Sequence, residues 1–280
     1  MPPEGSDSGR ELEGVFDLHV HAGPDVRPRK MSGHELARQA GATGMGGLLI
    51  KNHHTATVGQ ATMLSQSFTN LKVFGGLVLN SSVGGLNPEA AEAALRMGAV
   101  EIWMPTLSAE NECSFRGRPG SGIAIRTAGG QLKEALWEIL KLVAEYGAVL
   151  GTGHLSPRET ALVIEAGKDV GVKKFLVTHP EIRFVNMSLS QQRELCGPGV
   201  YFERCYVREG FCLDWDGLAN VIREMGLETT VLASDLGQPE NPDPVTGMKE
   251  MIWQLSRRSF SREELQIMTC RNPARLLDLD

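Results

Sequence analysis

The chain is poor in the features that mark several large protein classes. No apolar run approaches the ~20 residues needed to span a membrane. The opening MPPEGSDSGRELEG has no apolar stretch able to act as a secretory leader. A cytoplasmic protein without a membrane partner is therefore expected. Cysteine is scarce, with five in 280 residues (Cys113, Cys196, Cys205, Cys212, Cys270), no CxxC pair and nothing like the density of a disulfide scaffold. Reduced thiols are the expectation, with Cys205 at the end of strand seven a buried, inert one. The 28 Lys and Arg residues against 34 Asp and Glu leave a net charge of −6, and the basic residues are scattered. That excludes a nucleic-acid surface, which needs a Lys/Arg stripe. No GxxxxGK[ST] loop occurs, and the glycine-rich GATGMGG (41–47) precedes an apolar run instead of following one, so nucleotide-binding loops are excluded too. A small-molecule substrate fits these exclusions, and a homo-oligomer is compatible with them.

What the chain does have is repetition. Eight short apolar or β-branched runs recur, at 14–20, 46–50, 72–79, 100–104, 148–152, 174–178, 199–203 and 229–234. Most lack polar alternation, as suits strands covered on both faces, and hence a parallel sheet wrapped by helices. Helical stretches separate them. Ser32 with Glu35, Ser156 with Glu159, Ser188 with Gln191 and Ser261 with Glu264 have the spacing of a capping box. Gly98, Gly147, Gly167 and Gly226 follow helical runs, where a left-handed residue closes the last turn. Eight βα units predict a single-domain (β/α)8 barrel over 14–280, behind a flexible 1–13 segment. The interval after strand four is longer, and its polar, glycine-rich 107–130 reads as a lid or a disordered surface loop.

The histidines are not spread evenly. His19 and His21 end strand one in GVFDLHVHAG, one residue apart and so on the same face. His53 and His54 follow strand two, His154 ends strand five, His179 ends strand six, and only His34 falls within a helix. In a (β/α)8 barrel the C-terminal strand ends converge, so six of the seven histidines share one address. A bound metal explains such a cluster. Strand eight adds Asp235 in VLASDLG, read as a ligand or a proton carrier. Lys51, His53, His54 and Arg183 fall near the same mouth and predict a substrate-binding rim that favours anions.

With the HVH of strand one (His19, His21), His154, His179 and Asp235 in that strand order, and the closing RNPARLL, the chain resembles the amidohydrolase superfamily of metal-dependent hydrolases. The resemblance implies a TIM-type barrel with a divalent metal held by His19, His21, His154, His179 and Asp235. Zn²⁺ is the first expectation, with Mn²⁺, Fe²⁺ or Ni²⁺ compatible with the donor set. It implies attack of an activated water on an amide, ester or lactone, with Asp235 and His179 catalytic. Asp235 would move the proton, and His179 would be a second-site ligand or an oxyanion donor. One departure stands out. Strands three and four end in VLN and WMPT, without the bridging carboxylate or lysine of two-metal members, which leaves Lys51, if carboxylated, as the alternative bridge. Competing readings are a phosphoesterase of the polymerase-and-histidinol-phosphatase (PHP) type, a zinc-dependent decarboxylase, and a non-catalytic metal-binding barrel.

Overall fold

The structure is a computed structural model that describes residues 12–279. Every one of the eight apolar runs forms a strand: β1 (Phe16–Val20), β2 (Gly47–Ile50), β3 (Lys72–Val78), β4 (Glu101–Trp103), β5 (Val149–Gly151), β6 (Lys174–Val177), β7 (Val200–Arg204) and β8 (Thr230–Leu232). They lie in one sheet in the order of the sequence, and the paired strands are parallel. A helix follows each strand, as a parallel neighbour requires. β8 returns to β1: the Asp235 amide donates to the His19 oxygen and the His21 amide to the Leu236 oxygen, each at 2.8 Å. The fold is a (β/α)8 barrel.

The chain divides into two compact units, with boundaries inside β3 and β7. Among the described residues, the first holds 12–51, 59–75 and 204–279, and the second 52–58 and 76–203. In the first, Leu36, Ala37 and Ala40 of the helix Gly33–Ala42 share one buried cluster with Leu48 and Ile50 of β2 and with Met248 and Met251 of the helix Pro244–Ser256. In the second, the helix Glu134–Glu145 buries Leu136, Ile139, Leu140 and Val143, the spacing of a single helical face. The expected flexible segment 1–13 lies outside the described residues except for Leu12, which is buried, and Glu13.

Local signals are mostly realised. Ser156, Ser188 and Ser261 each close a full capping box. Ser32 closes half of one, because the Glu35 carboxylate is taken by Arg38 at 2.8 Å and Gln39 at 3.1 Å. Gly167 does not end a helix. It lies within the helix Pro157–Asp169, where a Cβ would meet the Phe175 ring at 2.7 Å, and Gly171, at φ +97°, makes the left-handed turn beyond it. A glycine chosen for close packing resembles a helix stop when only the sequence is read.

The 107–130 segment is folded. It carries a short helix, Glu110–Phe115, and the Glu110 carboxylate accepts from the amides of Gly120 at 2.7 Å and Gly122 at 2.9 Å, which ties the loop to its own helix. The disordered alternative is thereby corrected, because a loop that supplies acceptors for its own amides pays less entropy to stay ordered.

Candidate metal centre

In the first unit, alternation along β1 and the residue that follows it turns Asp17, His19 and His21 to one face, and all three are buried. The segment after β8 is laced to that face. The Asp17 carboxylate accepts from the Ser234 amide at 2.9 Å and the His19 amide at 3.2 Å, alongside the Asp235 and Leu236 contacts above. Asp235 itself has φ +50°, a left-handed conformation uncommon for a residue with a side chain. Two residues on, Gly237 at φ +130° passes so close that a Cβ there would sit 1.9 Å from the His21 oxygen. Backbone strain and a side-chain-free crossing thus deliver one carboxylate to two imidazoles.

Oδ1 of Asp235 lies 3.1 Å from Nε2 of His19 and 3.2 Å from Nε2 of His21. The three donor atoms fall within 4.8 Å of one another. On the far side of the His21 ring, Nδ1 stands 2.9 Å from the Lys51 backbone oxygen. A carbonyl oxygen only accepts, so Nδ1 carries the proton and the neutral ring presents a lone pair on Nε2. Burial opposes a second proton and pushes the His21 pKa down to about 3. A nitrogen lone pair therefore faces a carboxylate oxygen, an arrangement that repels unless a cation lies between them. Two imidazoles and a carboxylate are the donors a borderline divalent ion takes, with the second ring nitrogen anchored on a carbonyl. The residues present fit a metal.

The other Asp235 oxygen, Oδ2, accepts from Nη2 of Arg208, which also donates to the Asp235 backbone oxygen at 3.1 Å. Burial works to raise the Asp235 pKa, but the Arg208 charge and the neighbouring imidazoles outweigh it and hold the carboxyl well below the usual range. Burial pushes Asp17 up to about 7, against the hydrogen bonds it accepts from Ser234 and His19. Cys205 is buried, as expected, and its Sγ lies within 4.8 Å of a ring nitrogen of His19.

The second unit holds a separate imidazole group. The rings of His154 and His179 pack at a 53° tilt with centroids 4.9 Å apart, and the Phe184 ring lies 4.6 Å from that of His154. His179, at φ +25°, is another strained strand end. Nδ1 of His154 donates to Oε2 of the buried Glu112, whose Oε1 accepts from Nε of Arg116 at 2.6 Å. Burial raises the Glu112 pKa, and the contacts with His154 and Arg116 more than reverse it. Asn111 ties the same helix to the backbone oxygens of His154 at 3.0 Å and Phe184 at 2.7 Å.

Of the residues expected to ligate metal, His19, His21 and Asp235 meet in the first unit, while His154 and His179 pair in the second. The expected substrate-binding residues have varied surroundings. Lys51 is buried and lends its backbone oxygen to His21. His53 lies 2.8 Å from the Thr106 hydroxyl in a network held by Asn80, His54 is half-buried, and Arg183 is exposed. Arg208 and Glu112 were not singled out in the sequence. Arg208 follows β7 as Asp235 follows β8, so the rule that found the histidines reaches it if charged residues are admitted. Glu112 sits on the short helix Glu110–Phe115 of the 107–130 segment, whose sequence shows no clear periodicity.

The model of a family of unknown function, DUF6282, matches residues 14–203. The chain belongs to that family. Within DUF6282 the matched span covers β1, with both of its histidines, through Glu203 in β7, and Arg208 and Asp235 lie beyond it. Comparison with curated proteins yields no match. Among solved structures, an amidohydrolase from Pseudomonas aeruginosa is similar over 96% of this chain and 97% of its own, at 10% identity and a TM-score of 0.67. An organophosphorus hydrolase from Deinococcus radiodurans is similar over 98% of this chain and 95% of its own, at 17% identity and a TM-score of 0.63. The fold of this DUF6282 member is that of the amidohydrolase-type barrels. Among the described residues, no helix is long and apolar enough to cross a membrane.

Proposed function

We propose that the protein is a metal-dependent hydrolase that cleaves an amide, ester or lactone of a small molecule, with a divalent cation held by His19, His21 and Asp235. The observation that carries the reading is the His21 ring, whose Nδ1–H is committed to the Lys51 oxygen while its Nε2 lone pair faces Asp235 Oδ1 at 3.2 Å. A divalent cation in such a donor set supplies a water acidified toward a pKa of ~7 and a Lewis acid for the substrate oxygen. Three protein donors suit catalysis better than storage, because structural zinc sites close all four positions with protein ligands.

The chain's own groups set the conditions. Lys51 fixes the tautomer and orientation of His21 through its carbonyl oxygen. Arg208 occupies Oδ2 of Asp235 and turns Oδ1 to the imidazoles. The same ion pair keeps Asp235 anionic, which suits a ligand and opposes its use as proton acceptor, so we assign it the ligand role. The buried position of all three donors keeps bulk water from screening the charges. Likeness to barrels named as an amidohydrolase and an organophosphorus hydrolase supports hydrolysis as an analogy of fold.

The test is chelator dialysis followed by reconstitution with Zn²⁺, Mn²⁺, Fe²⁺ or Ni²⁺ and a panel of esters, lactones and amides. Turnover that vanishes on depletion and returns with one of these ions is expected. Full turnover by the depleted protein overturns the proposal. Carbon dioxide release from aromatic or enol acids, with no hydrolysis, replaces it with decarboxylation.

A further inference from the structure

We infer that the substrate of this centre carries an oxyanion group, a carboxylate or a phosphoryl, and that Arg208 receives it. The inference rests on the hydrolase reading and narrows its substrate class. It starts from a count of charge. With both imidazoles as the neutral donors that metal ligation requires, the Asp235 carboxylate and the Arg208 guanidinium sum to zero, and Asp235 is the carboxylate that Arg208 contacts. A divalent cation held by His19, His21 and Asp235 would draw on the same carboxylate, so one anion would then serve a guanidinium and a metal. These four groups with a divalent cation would carry an excess of positive charge in a largely buried place, where it is costly without a counter-anion. A substrate anion beside Arg208 would offset part of that excess.

The geometry of Arg208 agrees with the count. Its Nη2 is spent on the side-chain and backbone oxygens of Asp235, while its Nε is buried with no hydrogen-bond partner among the described residues. Its guanidinium carbon lies 5.3 Å from the centroid of the Phe211 ring, which restrains the plane of the fork. The side chain is 16% exposed, so it is not sealed within the protein. A planar fork with donors to spare, held beside the reacting centre, matches the paired oxygens of a carboxylate or phosphoryl group.

Arg29 is another largely buried guanidinium of this unit, and its position differs. It lines a cleft of about 560 Å³ along the loop Gly23–Ser32, and its Nε is matched by Asp25 Oδ2 at 2.6 Å, with the Asp25 side chain fully buried. No metal ligand competes for Asp25, so Arg29 carries no excess to offset.

The experiment titrates inorganic phosphate and benzoate into zinc-loaded protein by calorimetry, with the zinc content of each sample read by elemental analysis. Wild-type protein should bind at least one of the two anions, and the tighter of them assigns the phosphoryl or carboxylate class. Arg208→Met, at equal zinc content, should weaken that binding at least tenfold, and Arg208→Lys should fall between the two. Equal binding by wild type and Arg208→Met, or no binding of either anion by wild type at millimolar concentration, overturns the inference. If Arg208→Met does not fold or does not hold zinc, the wild-type protein still decides. Its kcat/KM for a carboxylate-bearing ester should exceed that for the matched neutral methyl ester at least tenfold, and a ratio of one or below overturns the inference. A wild-type chain that takes up no divalent cation overturns the hydrolase reading itself, whereas a loaded chain indifferent to Arg208 overturns the inference alone.

Discussion

His21 and Asp235, 214 positions apart in the chain, meet with Nε2 3.2 Å from Oδ1, while the opposite nitrogen of the same ring is bound to the Lys51 oxygen. The proton on Nδ1 decides what the other contact is. With Nε2 as a lone pair, the two residues supply two of the three donors proposed to hold the metal.

Gly237 is the backbone condition for that meeting. A Cβ at this position would overlap the His21 oxygen at 1.9 Å in a conformation that L-residues rarely adopt. Gly237→Ala should cost at least about 2 kcal/mol of stability in urea unfolding and lower metal affinity along with it. A loss under ~0.5 kcal/mol, the size of an ordinary surface substitution, contradicts this account of the crossing.

The metal-free protein should show two opposing pH dependences. His21 drops from 6.5 to about 3 on folding, so the unfolded chain binds the extra proton and stability falls as pH is lowered from 6.5 toward 3. Asp17 rises from 3.8 to about 7, so the folded chain binds the extra proton and stability falls as pH is raised from 3.8 toward 7. Between about pH 4 and 6.5 the two slopes, each about 1.4 kcal/mol per pH unit, oppose and largely cancel. Asp17→Asn keeps an acceptor for Ser234 and removes one slope. Its stability should climb with pH by about 1 kcal/mol per unit more steeply than wild type, as read by denaturant midpoints after chelation. Parallel pH profiles for the two proteins contradict the prediction.

Glu112 and His154 should behave as a coupled pair. A buried carboxylate on an imidazole N–H, itself backed by Arg116, gives a charge-assisted hydrogen bond. A double-mutant cycle of Glu112→Gln and His154→Gln should return a coupling of about 1–3 kcal/mol in chemical unfolding. Additive losses would mean that the contact carries no stability.

The fold was legible because each strand is a short apolar run covered on both faces, and because the helices between them open on serine caps that local chemistry dictates. The site was legible in part for the same reason: topology sends strand ends to one face, so His19, His21 and Asp235 could be matched by strand position without knowing a distance. Arg208 and Glu112 escaped because their significance lies in a partner rather than in a pattern. An arginine in CYVREG looks like any solvated charge until Asp235 is beside it, and Glu112 belongs to a loop whose order comes from the Glu110 carboxylate gathering distant amides. Gly167 misled for a related reason, since packing against Phe175 leaves no trace in local sequence.

The central claim is tested most directly by counting metal. Protein purified with its metal, or reloaded with zinc after chelation, should hold at least one divalent cation per chain by elemental analysis. The folded His19→Ala/His21→Ala double variant should hold at least one fewer. A double variant that retains the wild-type stoichiometry, or a wild-type chain that takes up none, contradicts the account.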